Sequence, residues 1–356
     1  MVDNIASWPL VSIIVPVFNG EQYLRESLDS IIAQTYQRRE VIVMNDASTD
    51  TTPSIIRSYG DRVISYQQTQ NRGQFQNVND GIARARGEYI AVYHADDIYD
   101  PCIVEHEVEF LQQHSEVGAV FCQDIFIDRL GREYGRLEML PELRGQHVLN
   151  YPLIFNTLLT CKNQFLRGPS SMVRASVYRD VGLYRAEEFA IASDLEMWVR
   201  IARKYPLGIL DEYLCRYRHS HGNLTQQYYH LRTEPERFFK IMDLYLEQGG
   251  RELATPDALA AYEAHRAEDF LMLAINHYII GRLQPAREML QGARARRILA
   301  SRRVQRWRLV LLWISIQALL RLPRIPALAT MFYRRWHTTF DQTNSRNPLP
   351  FSRAQS

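Results

Sequence analysis

The sequence of 356 residues predicts an α/β fold, in which a mostly parallel sheet has helices on both faces and is followed by an α-helical C-terminal region. Two observations predict the sheet: apolar strands alternate with amphipathic helices over short links, and polar residues follow the strands where they end. A third predicts the helical region, because apolar residues after Thr225 recur at helical spacing. We therefore predict a sheet domain over residues 1–227, a helical region over 228–340 and a disordered tail over 341–356.

The strands and helices of the sheet domain follow one another in order. Val11–Phe18 is a β-branched run that suits a strand buried on both faces, and apolar residues then recur at helical spacing over 21–34. A second strand, Val41–Met44, ends in the polar turn Asn45–Asp50, and Thr51-Thr52-Pro53 opens another helix. The alternation continues with a strand over Val63–Tyr66, a helix over Phe75–Ala85 and a strand over Tyr89–Tyr93.

Two adjacent carboxylates, Asp96 and Asp97, directly follow the strand Tyr89–Tyr93. An acidic pair is not buried inside a strand without a partner, so its expected place is the open carboxyl end, where it can hold a hard divalent cation against a substrate phosphate. The alternative is an acidic turn in solvent. Asp46 ends the strand Val41–Met44, and carboxyl ends of parallel strands meet at one edge. We therefore expect all three carboxylates in a single crevice.

Several function classes are disfavoured by what the sequence lacks. No Gly-x-Gly-x-x-Gly follows the first strand and no Gly-x-x-x-x-Gly-Lys occurs, which argues against a dinucleotide fold and a P-loop. The four cysteines are dispersed, which argues against a zinc site and a disulfide framework; they are Cys102, Cys122, Cys161 and Cys215. Met1–Trp8 has no apolar core of a signal peptide, so we expect a cytoplasmic protein.

Five segments, taken together, carry a resemblance to a known family. They are Val11–Asn19, Asn45–Asp50, Asn71-Arg72-Gly73, Gly87–Ile90 and Ala95–Asp97. In order and spacing they resemble the family 2 inverting glycosyltransferases of the GT-A fold, over roughly residues 10–225. The resemblance implies an enzyme that moves a sugar from a UDP- or dTDP-linked donor to a hydroxyl of a glycan or lipid-linked acceptor, in surface polysaccharide synthesis.

The resemblance also implies a donor site. Asp46 would accept a hydrogen bond from the pyrimidine ring, a role that suits an acceptor-only carboxylate facing an imide N–H. The alternative is an Asx turn that caps the next helix, which Asp50 can supply equally well. Where the family's next helix commonly carries Ala-Arg-Asn, this chain has Asn77-Val78-Asn79. The other residues implied to bind the nucleotide-sugar are Pro16, Phe18, Asn19, Arg72, Gly73 and Asp96.

The catalytic roles follow from the same resemblance. Asp97 matches the carboxylate that binds Mg²⁺ or Mn²⁺, and Asp194, within Ile191–Arg200, matches the base that deprotonates the acceptor. The alternative for Asp194 is a helix N-cap, and Glu196 is the reserve base. Within Tyr217–Thr225, the family's histidine that contacts the diphosphate or the metal would fall on Ser220, and His219 and His221 on either side of it are the candidates for that contact. The alternative for both is a solvated loop histidine.

Two other functions remain open in the sequence. A sugar nucleotidyltransferase would need a Gly-rich basic loop near the N-terminus, and none is present. A non-catalytic module that binds nucleotide-sugars or partners would not need Asp46, Asp97 and Asp194 together. Nucleic-acid binding is disfavoured, because no aromatic stacking surface accompanies the arginines in the first domain.

The C-terminal region carries two features of its own. Ala261–Leu290 predicts a helical hairpin of tetratricopeptide type that turns at Gly281. Leu309–Leu320 is an apolar run of twelve residues, too short to span a bilayer, which takes roughly 20 residues. It either lies in an anionic membrane interface on the inner face of the cell membrane or packs as a buried helix. Seven arginines precede or open this run: Arg294, Arg296, Arg297, Arg302, Arg303, Arg306 and Arg308.

Overall fold

The computed structural model describes residues 8–219, 231–293 and 306–336. These residues form two compact units. The sheet unit comprises residues 8–154 and 163–219, and the helical unit comprises residues 155–162, 231–293 and 306–336. The predicted tail over 341–356 lies outside the described residues.

The sheet unit is built on a mixed sheet of ten strands. Its order is β3-β2-β1-β4-β9-β6-β10-β5, with β7 beside β6 and β8 beside β10. β1, β2, β3, β4, β6 and β10 run in one direction, and the others run against them. The predicted fold class is therefore confirmed. The strands are β1 Val11–Val17, β2 Arg39–Asn45, β3 Ile64–Gln67, β4 Tyr89–Val92, β5 Ile98–Tyr99, β6 Ala119–Ile127, β7 Glu133–Arg136, β8 Val148–Leu149, β9 Ser171–Arg174 and β10 Leu207–Arg218.

Eight α-helices accompany these strands in the described part of residues 8–219. All seven residues of β1 are buried, because β2 and β4 flank it and helices cover it. The apolar positions Leu24, Leu28 and Ile31 of the first helix pack into the same core as Val15 and Val43. The helices are α1 Leu24–Ile32, α2 Thr52–Arg57, α3 Gln74–Ile82, α4 Ile103–Gln113, α5 Tyr151–Cys161, α6 Ala175–Val181, α7 Ala186–Phe189 and α8 Ser193–Ala202.

Strand register sets which residues meet at the carboxyl edge of the sheet. Val17 lies opposite Asn45 in the β1–β2 pair, and Tyr93 donates its N–H to Ile14 O at 2.9 Å as β4 ends. The loops after β1, β2 and β4 therefore leave the sheet together. β5 pairs antiparallel with β10, which brings the loop before β5 to the end of β10.

The helical unit contains the predicted hairpin. Thr255 caps its first helix by accepting the N–H of Ala258 at 3.2 Å, and Gly281 makes the turn with φ of +85°. Two later helices cover the apolar face of the hairpin, through Ile316 and Phe332 among others. The helices are α9 Arg237–Tyr245, α10 Arg251–Leu253, α11 Pro256–Ile279, α12 Leu283–Gly292, α13 Arg306–Leu319 and α14 Pro326–Trp336, and a π-helical turn covers Leu246–Gly250.

Helix α13 is apolar on two faces. Ile316 is buried against the hairpin, and Leu320 is buried just beyond the helix end, whereas Trp307, Leu311 and Ile314 are 62%, 63% and 51% exposed. The exposed three recur at helical spacing, so they form one stripe; we call it the α13 stripe. Among the helices that the structure describes, none is long and apolar enough to cross a membrane.

Candidate active site

Three side chains in the loop after β4 form a candidate metal centre. One ligand atom each from His94, Asp96 and Asp97 lies within 4.8 Å of the other two. Asp97 is 1% exposed, and its Oδ2 has no hydrogen bond with any residue that the structure describes. The Nδ1 atom of His94 lies 3.7 Å from that Oδ2. An unsatisfied buried carboxylate oxygen is costly unless a cation accompanies it, so these residues fit a divalent ion.

Arg218, the last residue of β10, fixes the acidic loop. Its backbone N–H donates to Asp97 Oδ1 at 2.7 Å, and its Nε donates to the carbonyl oxygen of Asp96 at 2.8 Å. Its far end is paired with Glu26 Oε2 at 2.6 Å and lies over the ring of Tyr23. The guanidinium is therefore committed to holding the loop in place.

Asp46 lies buried directly after β2, where it organises the loop before α3. Its Oδ1 accepts the backbone N–H of Arg72 at 2.8 Å, and its Oδ2 accepts that of Gly73 at 2.9 Å. The side chain of Arg72 pairs with Asp80 at 2.5 Å. Each carboxylate oxygen has a second lone pair, so Asp46 can still accept a ligand N–H. Asp50 accepts the N–H of Thr52, the first residue of α2, at 2.9 Å, and Thr51 occupies the N-cap position.

The loop after β1 is tied to the loop after β2. Asn19 donates its N–H to Ser48 Oγ and accepts the N–H of Thr49, both at 2.9 Å. Pro16 is buried within β1, whereas Phe18 is half exposed and offers an aromatic face at the carboxyl edge. The structure thus brings these two loops together on the side of Asp46.

Asp194 lies in the first turn of α8. It does not act as the N-cap, a position that Ala192 occupies; its Oδ1 instead accepts the N–H of Leu195 at 2.7 Å. A Cβ placed on Gly168 would lie 3.9 Å from its Oδ2, so the carboxylate faces the turn before β9. Burial raises the pKa of Asp194 to about 6, and the positive charge of Arg167 opposes that rise.

Glu196 is held in a different environment. It is fully buried, and both of its oxygens accept from Arg200, at 3.1 and 2.9 Å. Arg185 lies 3.5 Å from the same carboxylate. Asp194 is therefore the carboxylate of this helix that is available for proton transfer.

A partly buried arginine, Arg167, completes the site. Arg167 donates its Nε to Asp124 Oδ2 at 3.1 Å, and Asp124 is completely buried in β6. The guanidinium carbon lies 4.7 Å from the ring centre of Tyr217 and 5.5 Å from that of Phe126. Arg167 is thereby clamped between one carboxylate and two aromatic rings.

Burial sets the protonation of the metal-site residues. It raises the pKa of Asp97 well above its usual value, and the adjacent Asp96 carboxylate adds to the rise. It also lowers the pKa of His94 to about 4, so the imidazole is neutral at pH 7 and retains a lone pair for a metal. Its Nε2 lies 3.3 Å from the Gln74 amide nitrogen.

Of the two histidines predicted to contact the diphosphate or the metal, His219 lies within the described residues. His219 follows β10, stacks on Phe126 at 5.3 Å and contacts the hydroxyl of Tyr134. Burial lowers its pKa to about 4, so it is a neutral, packed side chain. His221 lies outside the described residues.

Three residues of the site escaped the sequence interpretation: His94, Asp124 and Arg167. Asp124 gives a usable signal, because a charged residue inside an apolar strand needs a buried partner. His94 lies only three residues before Asp97, within the same loop. Arg167 has no local signal, since its role depends on contacts with distant strands.

Comparisons with known proteins agree with this geometry. The family model described as glycosyl transferase family 2 matches residues 12–182. An uncharacterized glycosyltransferase of Methanocaldococcus jannaschii is 30% identical over 217 residues, which cover 59% of this chain and 71% of that protein. The chain is a family 2 glycosyltransferase.

Two further comparisons place this glycosyltransferase among its relatives. It is 32% identical over 219 residues to an uncharacterized glycosyltransferase of Rickettsia felis, a match that covers 59% of this chain. The chain spans only 34% of that relative's length. The crystal structure of S. aureus TarS residues 1–349 with UDP-GlcNAc superimposes with a TM-score of 0.56 at 18% identity, over 94% of this chain and 92% of TarS. The GT-A fold predicted from the sequence is thus confirmed.

Proposed function

We propose that this glycosyltransferase moves a sugar, with inversion, from a UDP- or dTDP-linked donor to a hydroxyl of a glycan or lipid-linked acceptor in surface polysaccharide synthesis. The observation that carries the proposal is the cluster of His94, Asp96 and Asp97 in the loop after β4. Asp97 presents there an oxygen without a hydrogen bond from any described residue, and Asp194 presents an available carboxylate near Gly168. The UDP-GlcNAc bound by TarS supports a UDP-linked donor.

The donor's nucleotide lies, in this proposal, against the loops after β1 and β2. Asp46 accepts the imide N–H of the pyrimidine through a lone pair that Arg72 and Gly73 leave open. Phe18 offers its exposed ring to the base. Pro16, Asn19, Arg72, Gly73 and Asp96 are the other residues of the proposed donor site.

Asp97 holds Mg²⁺ or Mn²⁺, with Asp96 and His94 within reach of the same ion. When bound, such a cation supplies positive charge that stabilises the departing diphosphate. Oδ1 of Asp97 is fixed by Arg218, so Oδ2 is the atom offered to the ion. The neutral imidazole of His94 adds a nitrogen ligand, which favours Mn²⁺ over Mg²⁺. His219 and His221 are the proposed further contacts of the diphosphate or the metal, and His221 lies outside the described residues.

Asp194 acts as the general base. Inversion in a single displacement needs one carboxylate beside the incoming hydroxyl, on the face of C1 opposite the leaving group. With a pKa of about 6, Asp194 is ionised at pH 7 and still basic enough to accept a proton. Glu196 is committed to Arg200 and Arg185, which leaves Asp194 for this role.

We further propose that the protein is cytoplasmic and peripheral on the inner face of the cell membrane. The α13 stripe supports this, because three large apolar side chains at helical spacing are open to solvent. The sequence before α13 is rich in arginine, a composition that suits anionic headgroups; residues 294–305 lie outside the described residues. The functional division into a transferase domain over 1–227 and a helical region over 228–340 belongs to the same proposal.

A panel of nucleotide-sugars tests the donor assignment. With Mn²⁺ present, a UDP- or dTDP-sugar should raise the melting temperature by mass action, and GDP- and ADP-sugars should not. The stabilising donor should also be cleaved slowly to free nucleoside diphosphate, with water as acceptor. Stabilisation by purine donors alone would contradict the role of Asp46, and binding without cleavage would favour a non-catalytic module.

A further inference from the structure

The candidate active site contains two arginines with different hydrogen-bond partners, of which Arg218 is fully buried and Arg167 is partly exposed. Arg218 uses its backbone N–H, its Nε and both terminal nitrogens, on Asp97, Asp96, Asp128 and Glu26. Arg167 uses only its Nε, which donates to Asp124. Its two terminal nitrogens have no hydrogen bond to any residue in the described part of the chain. A guanidinium fork held at one end and open at the other is suited to a planar anion such as phosphate.

The surroundings of Arg167 hold it rigidly. Asp124 is completely buried, and the rings of Tyr217 and Phe126 lie 4.7 and 5.5 Å from the guanidinium carbon. A donor fixed in advance costs no reorganisation when charge develops on the substrate, which is the condition for electrostatic catalysis. A purely structural ion pair would not need its fork left open.

Arg167 is also close to both carboxylates of the proposed reaction. Its guanidinium lies over the ring of Tyr217, and the residue after Tyr217, Arg218, donates its backbone N–H to Oδ1 of Asp97 at 2.7 Å. On the other side, a Cβ on Gly168, the residue after Arg167, would lie 3.9 Å from Oδ2 of Asp194. Arg167 is therefore near the residue proposed to hold the metal and near the residue proposed to deprotonate the acceptor.

We propose that Arg167 is a catalytic residue whose fork binds the departing diphosphate of the donor, and that Asp124 is its positioning residue. The inference rests on the proposed transfer reaction. In that reaction the acceptor oxygen bonds to C1 while the bond from C1 to the diphosphate oxygen breaks. The proton passes to Asp194, and the electron pair of the broken bond stays on the diphosphate. Arg167 stabilises the negative charge that forms there.

The first test needs no turnover. UDP carries on its terminal phosphate the charge that the leaving group gains, whereas an intact UDP-sugar does not. By calorimetry with Mn²⁺, Arg167→Ala should weaken the binding of UDP at least 10-fold and the binding of the UDP-sugar less than about 3-fold. Equal weakening of both ligands, or of neither, would overturn the proposal.

The second test is chemical rescue. Arg167→Ala should lower the rate of UDP release from the UDP-sugar about 10²–10³-fold. Guanidinium at a few tens of millimolar should restore part of the rate by entering the space beside Asp124, Tyr217 and Phe126. Urea has the same shape without the charge and should restore nothing. Rescue by both, or a higher KM for acceptor at unchanged kcat, would contradict a role in the chemical step.

Two further variants distinguish a loss of catalysis from a loss of folding. Arg167→Lys keeps a cation beside Asp124, yet its kcat should fall at least 10-fold because one ammonium cannot bond Asp124 and the diphosphate together. Asp124→Asn alone should lower kcat. Added to Arg167→Ala it should lower kcat little further, since Asp124 acts through the arginine. Full kcat in Arg167→Lys, or additive losses, would overturn the proposal. If the wild type releases no UDP and binds no UDP-sugar, the proposed function itself is wrong.

Discussion

The backbone N–H of Arg218 donates a hydrogen bond of 2.7 Å to Oδ1 of Asp97, although 121 residues separate the two. This bond joins the end of β10 to the loop after β4. It fixes one oxygen of the carboxylate and leaves the other, Oδ2, without a partner among the described residues. The acidic loop is thus held in a conformation that offers a single buried oxygen to a cation.

Replacing Asp97 tests the metal assignment. Asp97→Asn keeps the shape of the side chain but removes its charge, so Mn²⁺ binding measured by electron paramagnetic resonance should be lost. Donor affinity should fall to the level that EDTA produces in the wild type. Asp100→Asn is the matched control, because Asp100 is an exposed aspartate three residues away. Unchanged Mn²⁺ binding in Asp97→Asn would place the metal elsewhere.

Replacing His94 tests the choice of metal. A neutral imidazole nitrogen adds more affinity for Mn²⁺ than for Mg²⁺. His94→Ala should therefore weaken Mn²⁺ binding by about 10-fold or more and change Mg²⁺ binding little, as measured by calorimetry without donor. An equal effect on the two ions would mean that His94 only packs beside the site.

The fold and several site residues could be predicted because their signals are local. β1, β2 and β4 were found within a few residues of their bounds, since β-branched runs between polar turns are read directly from the sequence. The polar turns after β2 and β4 then identified Asp46 and Asp97. The antiparallel strands β5, β7, β8 and β9 were not predicted, because two to four residues carry too little periodicity.

The roles that were missed depend on contacts between distant segments. Arg167 and Asp124 are 43 residues apart in the chain and meet only because β9 lies beside β6 in the sheet. The contact of Asp46 with the loop before α3 could not be predicted either. Its carboxylate accepts the backbone N–H groups of Arg72 and Gly73, two residues that the family resemblance implies for donor binding.

Replacing Asp46 tests how the protein recognises the pyrimidine of the donor. Asp46→Ala should cost roughly 1.5–3 kcal/mol of UDP binding, the value of a hydrogen bond to a charged group. Loss of its bonds to Arg72 and Gly73 would also loosen the loop, so N3-methyl-UDP serves as the control. The wild type should prefer UDP over the methylated nucleotide, and Asp46→Ala should not. If the preference survives in the variant, Asp46 does not contact the imide.

The proposed role of Asp194 predicts that activity is lost at low pH. A general base works only when it is ionised, and burial raises the pKa of Asp194 to about 6. Activity should therefore be constant above about pH 7 and fall as the pH drops through 6. Asp194→Asn should lower transfer roughly 10²–10⁴-fold with donor affinity unchanged.

Glu196→Gln is the matched control for Asp194. It should lower the melting temperature, because it breaks the buried pair with Arg200. The acid limb of its pH profile should remain near 6 in the fraction that folds. A shifted limb in Glu196→Gln, with a normal limb in Asp194→Asn, would reverse the two assignments.

The last prediction concerns the α13 stripe. If Trp307, Leu311 and Ile314 enter a membrane interface, the arginines before and at the start of α13 add roughly 1 kcal/mol each through anionic lipid. Reversing four of them should then release the protein from phosphatidylglycerol vesicles in a co-sedimentation assay. High salt should weaken wild-type binding, because surface attraction is screened within about 10 Å at 0.1 M. The four changes are Arg302→Glu, Arg303→Glu, Arg306→Glu and Arg308→Glu.

A matched variant separates a local effect from net charge. Reversing four exposed arginines of the sheet unit, namely Arg57, Arg62, Arg84 and Arg129, changes the net charge equally and should leave vesicle binding intact. Leu311→Asp should abolish vesicle binding without unfolding, because that side chain is 63% exposed. Ile316→Asp should unfold the helical unit, because that side chain is buried against the hairpin. If the wild type fails to pellet with anionic vesicles, the stripe does not bind membrane.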